Sequence, residues 1–146
     1  MKQLLSSLLI AFVMFLPNAF SLKANAQADT GTLSGNWILK PVLASDTATG
    51  KIPTISFNLL THTFTGFTGC NNMSGTFAST DQELSFNPKI VLTKKKCTGY
   101  NEKEFVANLL RVTAYKIEKG ELTLLIGNAP ISKWVRKNRP REMARS

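Results

Sequence analysis

The sequence predicts a mainly-β protein with one α-helix, an antiparallel meander that curls into a small barrel, carried behind an export signal. Three observations lead there. Apolar residues alternate with polar ones in short runs bounded by Gly, Asn and Pro, the period of half-buried strands. One stretch, after Asn101, changes to the i, i+4 spacing of a helix. The chain has 146 residues, enough for one domain once a leader is removed.

The leader comes first. Lys2 supplies a positive n-region, residues 4–16 form an apolar run broken only by Ser6 and Ser7, and Pro17 ends it. Ala24-Asn25-Ala26 then places small residues where a signal peptidase cuts, so residues 1–26 are read as cleaved and Gln27 as the first mature residue. The apolar run is shorter than the roughly 20 residues that span a bilayer. No cysteine stands near the cut, which argues against a lipid anchor. No second run of spanning length follows, so no transmembrane segment is expected after cleavage.

The strands follow in order within a domain of residues 27–137. Residues 33–42 open it, with Trp37, Leu39 and Pro41 on one face and Asn36, Ile38 and Lys40 on the other. Residues 46–50 make a polar loop. Residues 55–59 alternate strictly. Residues 63–67 carry Phe64 and Phe67 around Gly66, which is read as a bulge. Residues 73–77 continue, residues 79–83 turn, and Leu84-Ser85-Phe86 is a short strand stopped by Asn87-Pro88. Residues 90–93 follow it.

Asn101 is placed to cap a helix, with Glu104 three residues on, a variant of the capping box. Phe105, Val106, Leu109 and Leu110 share its apolar face, and Arg111 suits the negative end of the helix dipole. A helix this brief depends on packing against the sheet. Residues 112–118 return as a strand with Val112, Ala114 or Tyr115, and Ile117 inward. Lys119-Gly120 turns, residues 122–126 pair back, Gly127-Asn128 turns again, and residues 129–135 close the domain with Ile131 and Trp134 inward. Closing such a meander removes exposed edges. Phe57, Phe64, Phe67, Phe77, Phe86 and Phe105 are assigned to the core. A barrel this small is filled by side chains, and the alternative is an interior that holds an apolar ligand.

Charge and cysteines bound the function. Lys2 and Lys23 fall in the leader, which leaves sixteen basic residues against nine acidic ones, a mature net charge of +7. Much of it gathers at the end, in Lys133, Arg136, Lys137, Arg139, Arg141 and Arg145 against Glu142. Residues 138–146 are read as a solvated, disordered basic tail, and contact with an anionic surface is the other reading. Nucleic acid is not expected as a partner of an exported chain. Cys70 and Cys97 are an even pair in an oxidising compartment and are read as one disulfide. The competing reading is free thiols, with Lys94, Lys95 and Lys96 lowering the pKa of Cys97.

No catalytic constellation stands out. His62 with two cysteines is a poor metal set, and neither metal nor cofactor is expected. His62 sits in Thr61-His62-Thr63, with no nucleophile motif to make it part of a serine triad. Glu102 and Glu104 are accounted for by the positive end of the helix dipole, without paired-carboxylate chemistry. There is no glycine-rich phosphate loop. The chain is therefore read as non-enzymatic.

Gly69-Cys70-Asn71-Asn72-Met73-Ser74-Gly75-Thr76-Phe77 resembles the G-C-N-x-x-x-G segment of the META domain family, the HslJ-like proteins of bacterial envelopes. The likeness extends outwards, through Trp37-Ile38-Leu39, Leu84-Ser85-Phe86, Thr93 four residues before Cys97, the helix from Glu104, and Leu122-Thr123-Leu124. It covers residues 33–135. Lys94-Lys95-Lys96 departs from the family, which often carries Met and a small residue before the second cysteine. The resemblance implies a small antiparallel barrel with one helix and a role in the envelope or in stress tolerance, exercised on a protein or envelope component. It implies little chemistry. The segment Gly69, Cys70, Asn71 and Gly75 is either a binding loop or a tight turn. The turn is the reading taken, because Gly69 and Asn71 both tolerate positive φ and Asn bonds its own backbone.

Overall fold

The structure, a computed structural model, describes residues 32–137. The expected leader with its cut before Gln27 and the expected basic tail of residues 138–146 fall outside the described residues. Nine strands and an α-helix follow in order. They are β1 (Gly35–Leu39), β2 (Thr54–Asn58), β3 (Thr63–Phe67), β4 (Asn72–Ser79), β5 (Leu84–Phe86), β6 (Val91–Leu92), α1 (Glu102–Leu110), β7 (Ala114–Glu118), β8 (Glu121–Ile126) and β9 (Ala129–Arg136). A 3-10 turn at Ala44–Thr47 separates β1 from β2.

Alternation drives the pairing. Each strand turns one set of side chains inward, so neighbours must pair in the register that keeps those sets on one side. The order is β5-β4-β3-β2-β1-β9-β8-β7, all antiparallel. Two meanders, β1 to β5 and β7 to β9, are thus zipped together by the first and last strands. The remaining seam is bridged where Glu83 faces Ala114. There the Leu84 amide donates to the Thr113 carbonyl at 3.2 Å and the Tyr115 amide to the Gln82 carbonyl at 2.9 Å. The sheet is a nearly closed barrel, as the sequence predicts. Lys119 and Gly120 join β7 to β8 with φ of 52° and 76°. Positive φ at both turn positions gives the twist that suits a two-residue hairpin.

The barrel interior is filled. Trp37, Trp134, Phe64, Leu84, Leu122 and Leu124 belong to one continuous buried cluster. Phe57 meets Phe77 edge-on at 5.1 Å, and Phe64 meets Phe86 at 5.0 Å. Such pairs add about 0.5–1.5 kcal/mol each beyond area burial. Beside the start of β1 the Arg136 guanidinium lies 4.4 Å from the centre of the Trp37 ring system. It also donates to the Ser34 and Thr32 carbonyls at 3.0 and 2.6 Å, fastening the chain's entry into β1. Helix α1 is capped as expected: the Asn101 side chain accepts from the Glu104 amide and donates to the Glu104 carboxylate. Leu109 is the helix residue that reaches the buried core.

Four sequence expectations need correction. Gly66 is not a bulge, because Ile55, Gly66 and Met73 face one another in unbroken register. It is glycine because a Cβ there would lie 2.3 Å from the Thr54 carbonyl oxygen. Pro41 is exposed rather than inward. Ile131 is 36% exposed, while Trp134 is buried. The pairing shifts between Leu124, opposite Ser132, and Leu125, opposite Pro130. The extra residue in β9 turns Ile131 outward. Finally, Phe67 stands outside the buried cluster and lines the outward face of β3. Asn87-Pro88 stops β5 at Phe86 as expected, and β6 then pairs with β4 as β5 does.

Candidate functional site

The residues that the sequence singles out converge between β3 and β4. Gly69 takes φ of 104°, a conformation open to glycine, and the Tyr100 ring lies 3.3 Å from where a Cβ would stand. The turn is held from within by Thr68, which is fully buried. Its hydroxyl oxygen accepts from the Cys70 and Asn71 amides at 3.1 and 2.9 Å and donates to Glu102 Oε1 at 2.5 Å. Thr49 donates to the Gly69 carbonyl at 2.6 Å, and the Tyr100 hydroxyl donates to the Thr68 carbonyl.

Asn71 is the centre of the arrangement. It is 2% exposed. Its Oδ1 accepts from the Thr93 hydroxyl and the Lys95 amide, both at 2.7 Å. Its Nδ2 donates to the Lys95 carbonyl at 3.0 Å and to Glu102 Oε2 at 2.9 Å. One amide thereby ties three elements together: the start of β4, the segment after β6, and the first turn of α1. Cys70 and Cys97 add a covalent tie between the same parts, a disulfide with Cα atoms 5.9 Å apart.

The turn reading of this segment holds for Gly69 and needs correction for Asn71. Among the described residues other than glycine, positive φ occurs at His62 and Lys119, and Asn71 is not one of them. Its side chain bonds the backbone of Lys95, not its own. The thiolate reading of Cys97 is overturned, since its sulfur is bonded to Cys70. Gly75 stands apart from the turn, in β4 opposite Phe64, where a Cβ would press within 2.8 Å of the ring. His62 sits exposed in the β2–β3 hairpin with φ of 52°, its ring 6.1 Å from that of Phe77. Among the described residues no cluster of three or more His, Cys, Asp or Glu side chains could hold a metal ion.

Two participants were not legible beforehand. Glu102 reads as a helix-start residue, yet both of its carboxylate oxygens accept hydrogen bonds from the turn. Tyr100 reads as nothing in particular. Burial, with the Glu102 and Asp46 carboxylates nearby, pushes its phenol up to about 12. It therefore stays a neutral donor well into alkaline solution. No sequence spacing announces contacts across 31 to 34 positions.

Two of the concavities elsewhere on the surface bear on binding. One, of about 700 Å³, runs over the outward face of β1 to β4 and reaches β6. The other, of about 380 Å³, lies at the barrel mouth beside α1 and is lined by apolar side chains including Val42, Leu43, Phe105 and Ile131.

Fold and junction together define a class: a small, side-chain-filled barrel whose G-C-N turn is clasped to a helix by hydrogen bonds and a disulfide. The chain belongs to the META domain family, whose model matches residues 31–138. Its fold is also similar to two solved structures. An NMR structure of a protein from Burkholderia xenovorans is 21% identical with a TM-score of 0.57, over 73% of this chain and 83% of that one. A crystal structure of a DUF4847 family protein from Bacteroides vulgatus is 18% identical with a TM-score of 0.52, over 73% of this chain and 95% of that one. At these identities the likeness is one of fold. No curated protein matches significantly.

Proposed function

We propose that this META-domain protein is exported to the periplasm or beyond and acts there without catalysis, supporting envelope integrity under stress by binding a protein or an envelope component. The observation that carries the reading is the fate of the residues able to do chemistry. Cys70, Cys97, Asn71 and Glu102 are engaged in holding the barrel's junction. A disulfide suits an oxidising compartment. The outer surface is then left to recognise a partner. Crosslinking in intact cells followed by mass spectrometry tests this, together with the intact mass of the secreted protein. Recovery of an envelope component on a chain that starts at Gln27 is the expected result. Retention of residues 1–26, or unchanged tolerance of a deletion strain to heat and envelope-acting drugs, would count against it.

A second reading, a small apolar ligand, has one observation in its favour. The cleft beside α1 is mainly apolar, with Lys40, Asp46 and Lys133 also lining it, and Val42 and Leu43 are 76% and 64% exposed there. With the interior filled by side chains, the barrel mouth is the place such a ligand would occupy. Native mass spectrometry of protein purified from its own host would reveal a retained small molecule.

A further inference from the structure

The groove over β1 to β4 has an order that strand register imposes. Asn36 faces Ser56, Ser56 faces Thr65, Thr65 faces Ser74, and Ser74 faces Val91. This row crosses five strands. Neighbouring strands lie about 4.8 Å apart, so the row presents a side chain at each such step for about 19 Å. A second row runs beside it, in which Thr54 faces Phe67 and Phe67 faces Asn72. Thr93 continues that row, its amide bonded to the Asn72 carbonyl at 3.1 Å. All these residues line the groove. Among the described residues the hydroxyls of Thr54, Ser56, Thr65 and Ser74 make no hydrogen bond to another protein group and stand partly or fully exposed.

The groove's charge is of one sign. No aspartate or glutamate lines it, and Lys137 does. The Lys51 ammonium lies 6.0 Å from the centre of the Phe67 ring on its wall. Exposed Lys94 directly follows Thr93 at the far end. Such a surface attracts anions and offers them neutral hydroxyl and amide partners.

We propose that this groove binds a segment of an acidic polysaccharide, laid across the strands so that sugar hydroxyls meet the Ser/Thr row and sugar carboxylates meet Lys51, Lys94 and Lys137. The assignment deepens the proposed function and rests on it, by giving the envelope component a chemistry. Two other polymers fit less well. A peptide adding as a strand needs an unpaired edge of some length, whereas β1 to β3 are paired on both sides and the edge strand here, β6, has only two residues. A single-stranded nucleic acid needs successive stacking platforms, whereas Phe67 alone offers an accessible ring here, Trp37 being wholly buried.

The test uses the full mature chain and a fluorescent oligouronate, with a neutral glucan, an oligoglutamate and an oligodeoxythymidylate of matched length as comparators. Binding of the oligouronate should weaken as salt shortens the Debye length below about 10 Å. Lys51→Glu and Thr65→Glu should each weaken it at least tenfold, about 1.4 kcal/mol, with the melting temperature unchanged because both side chains point outward. The glucan should bind weakly, and the other two anions at least tenfold less tightly than the oligouronate. No oligouronate binding, or binding indifferent to both substitutions, overturns the proposal. So does equal binding of oligoglutamate or oligodeoxythymidylate, which would reduce the groove to a charge effect. If these fail while intact-cell crosslinking still captures an envelope component, the groove assignment falls and the proposed function stands. If both fail, both fall.

Discussion

Replacing Asn71 by alanine removes the amide that holds the junction together. Three lost partners are neutral, the Thr93 hydroxyl and the Lys95 amide and carbonyl, and one is the Glu102 carboxylate. At about 1 kcal/mol net for each neutral bond and somewhat more for the charged one, the sum is about 4 kcal/mol. Thr93, Lys94 and Lys95 are exposed, so water restores part of that, and about 3 kcal/mol is expected. For a domain of this size, that lowers the melting temperature by about 12 °C. Asn71→Asp sharpens the test. It keeps the shape and the acceptors but sets a carboxylate 2.9 Å from the Glu102 oxygen that now receives a donor. Repulsion raises the carboxyl pKa in the folded state, so the penalty is present at neutral pH and shrinks as acid protonates the pair. Thermal unfolding by circular dichroism, with oxidised protein at pH 7 and at about pH 4, measures both. A fall of less than about 3 °C for either variant at pH 7 would refute the idea that this amide is a structural tie.

The disulfide closes a loop of 27 positions, which the chain-entropy model values at about 3.5 kcal/mol. Reductant should therefore lower the melting temperature, Cys70→Ser and Cys97→Ser should do so similarly, and the double variant should cost little more than either, which denaturant titration checks. Gly66→Ala and Gly75→Ala should both destabilise, Gly66 more, because its Cβ meets a backbone oxygen at 2.3 Å whereas that of Gly75 meets the Phe64 ring at 2.8 Å. Tyr100, pushed up from 10.0 to about 12, holds its proton more tightly folded than unfolded, so its contribution is intact below pH 10 and lost as pH rises through about 12. Spectrophotometric titration should show this late phenolate step in the native protein and its absence in Tyr100→Phe.

The strands were legible because period-2 alternation is local: residues 55–59 and Leu84-Ser85-Phe86 announce themselves. Asn101 and Glu104 announce the cap for the same reason, since both partners lie within one helical turn. What failed needed non-local knowledge. Gly66 reads as a bulge until the Thr54 carbonyl across the strand is known. Ile131 reads as inward until the register shift opposite Leu124 is known. The pairing of β1 with β9 joins the ends of the domain, and no short-range signal encodes it. At the site, the G-C-N segment could be found, but Glu102 and Tyr100 enter through contacts about thirty positions away.

The G-C-N turn fastens the Lys94–Cys97 segment and the start of α1 to the barrel. Amide hydrogen exchange at Lys95, whose N–H is bonded to Asn71 Oδ1, reports on this directly. In the oxidised protein that amide should be protected despite the exposed lysine side chains around it. It should lose protection in Asn71→Ala and in reduced protein, while the amides of β2 and β3 stay slow. Rapid exchange of Lys95 in intact, oxidised protein, at the rate of a free loop, would contradict the account.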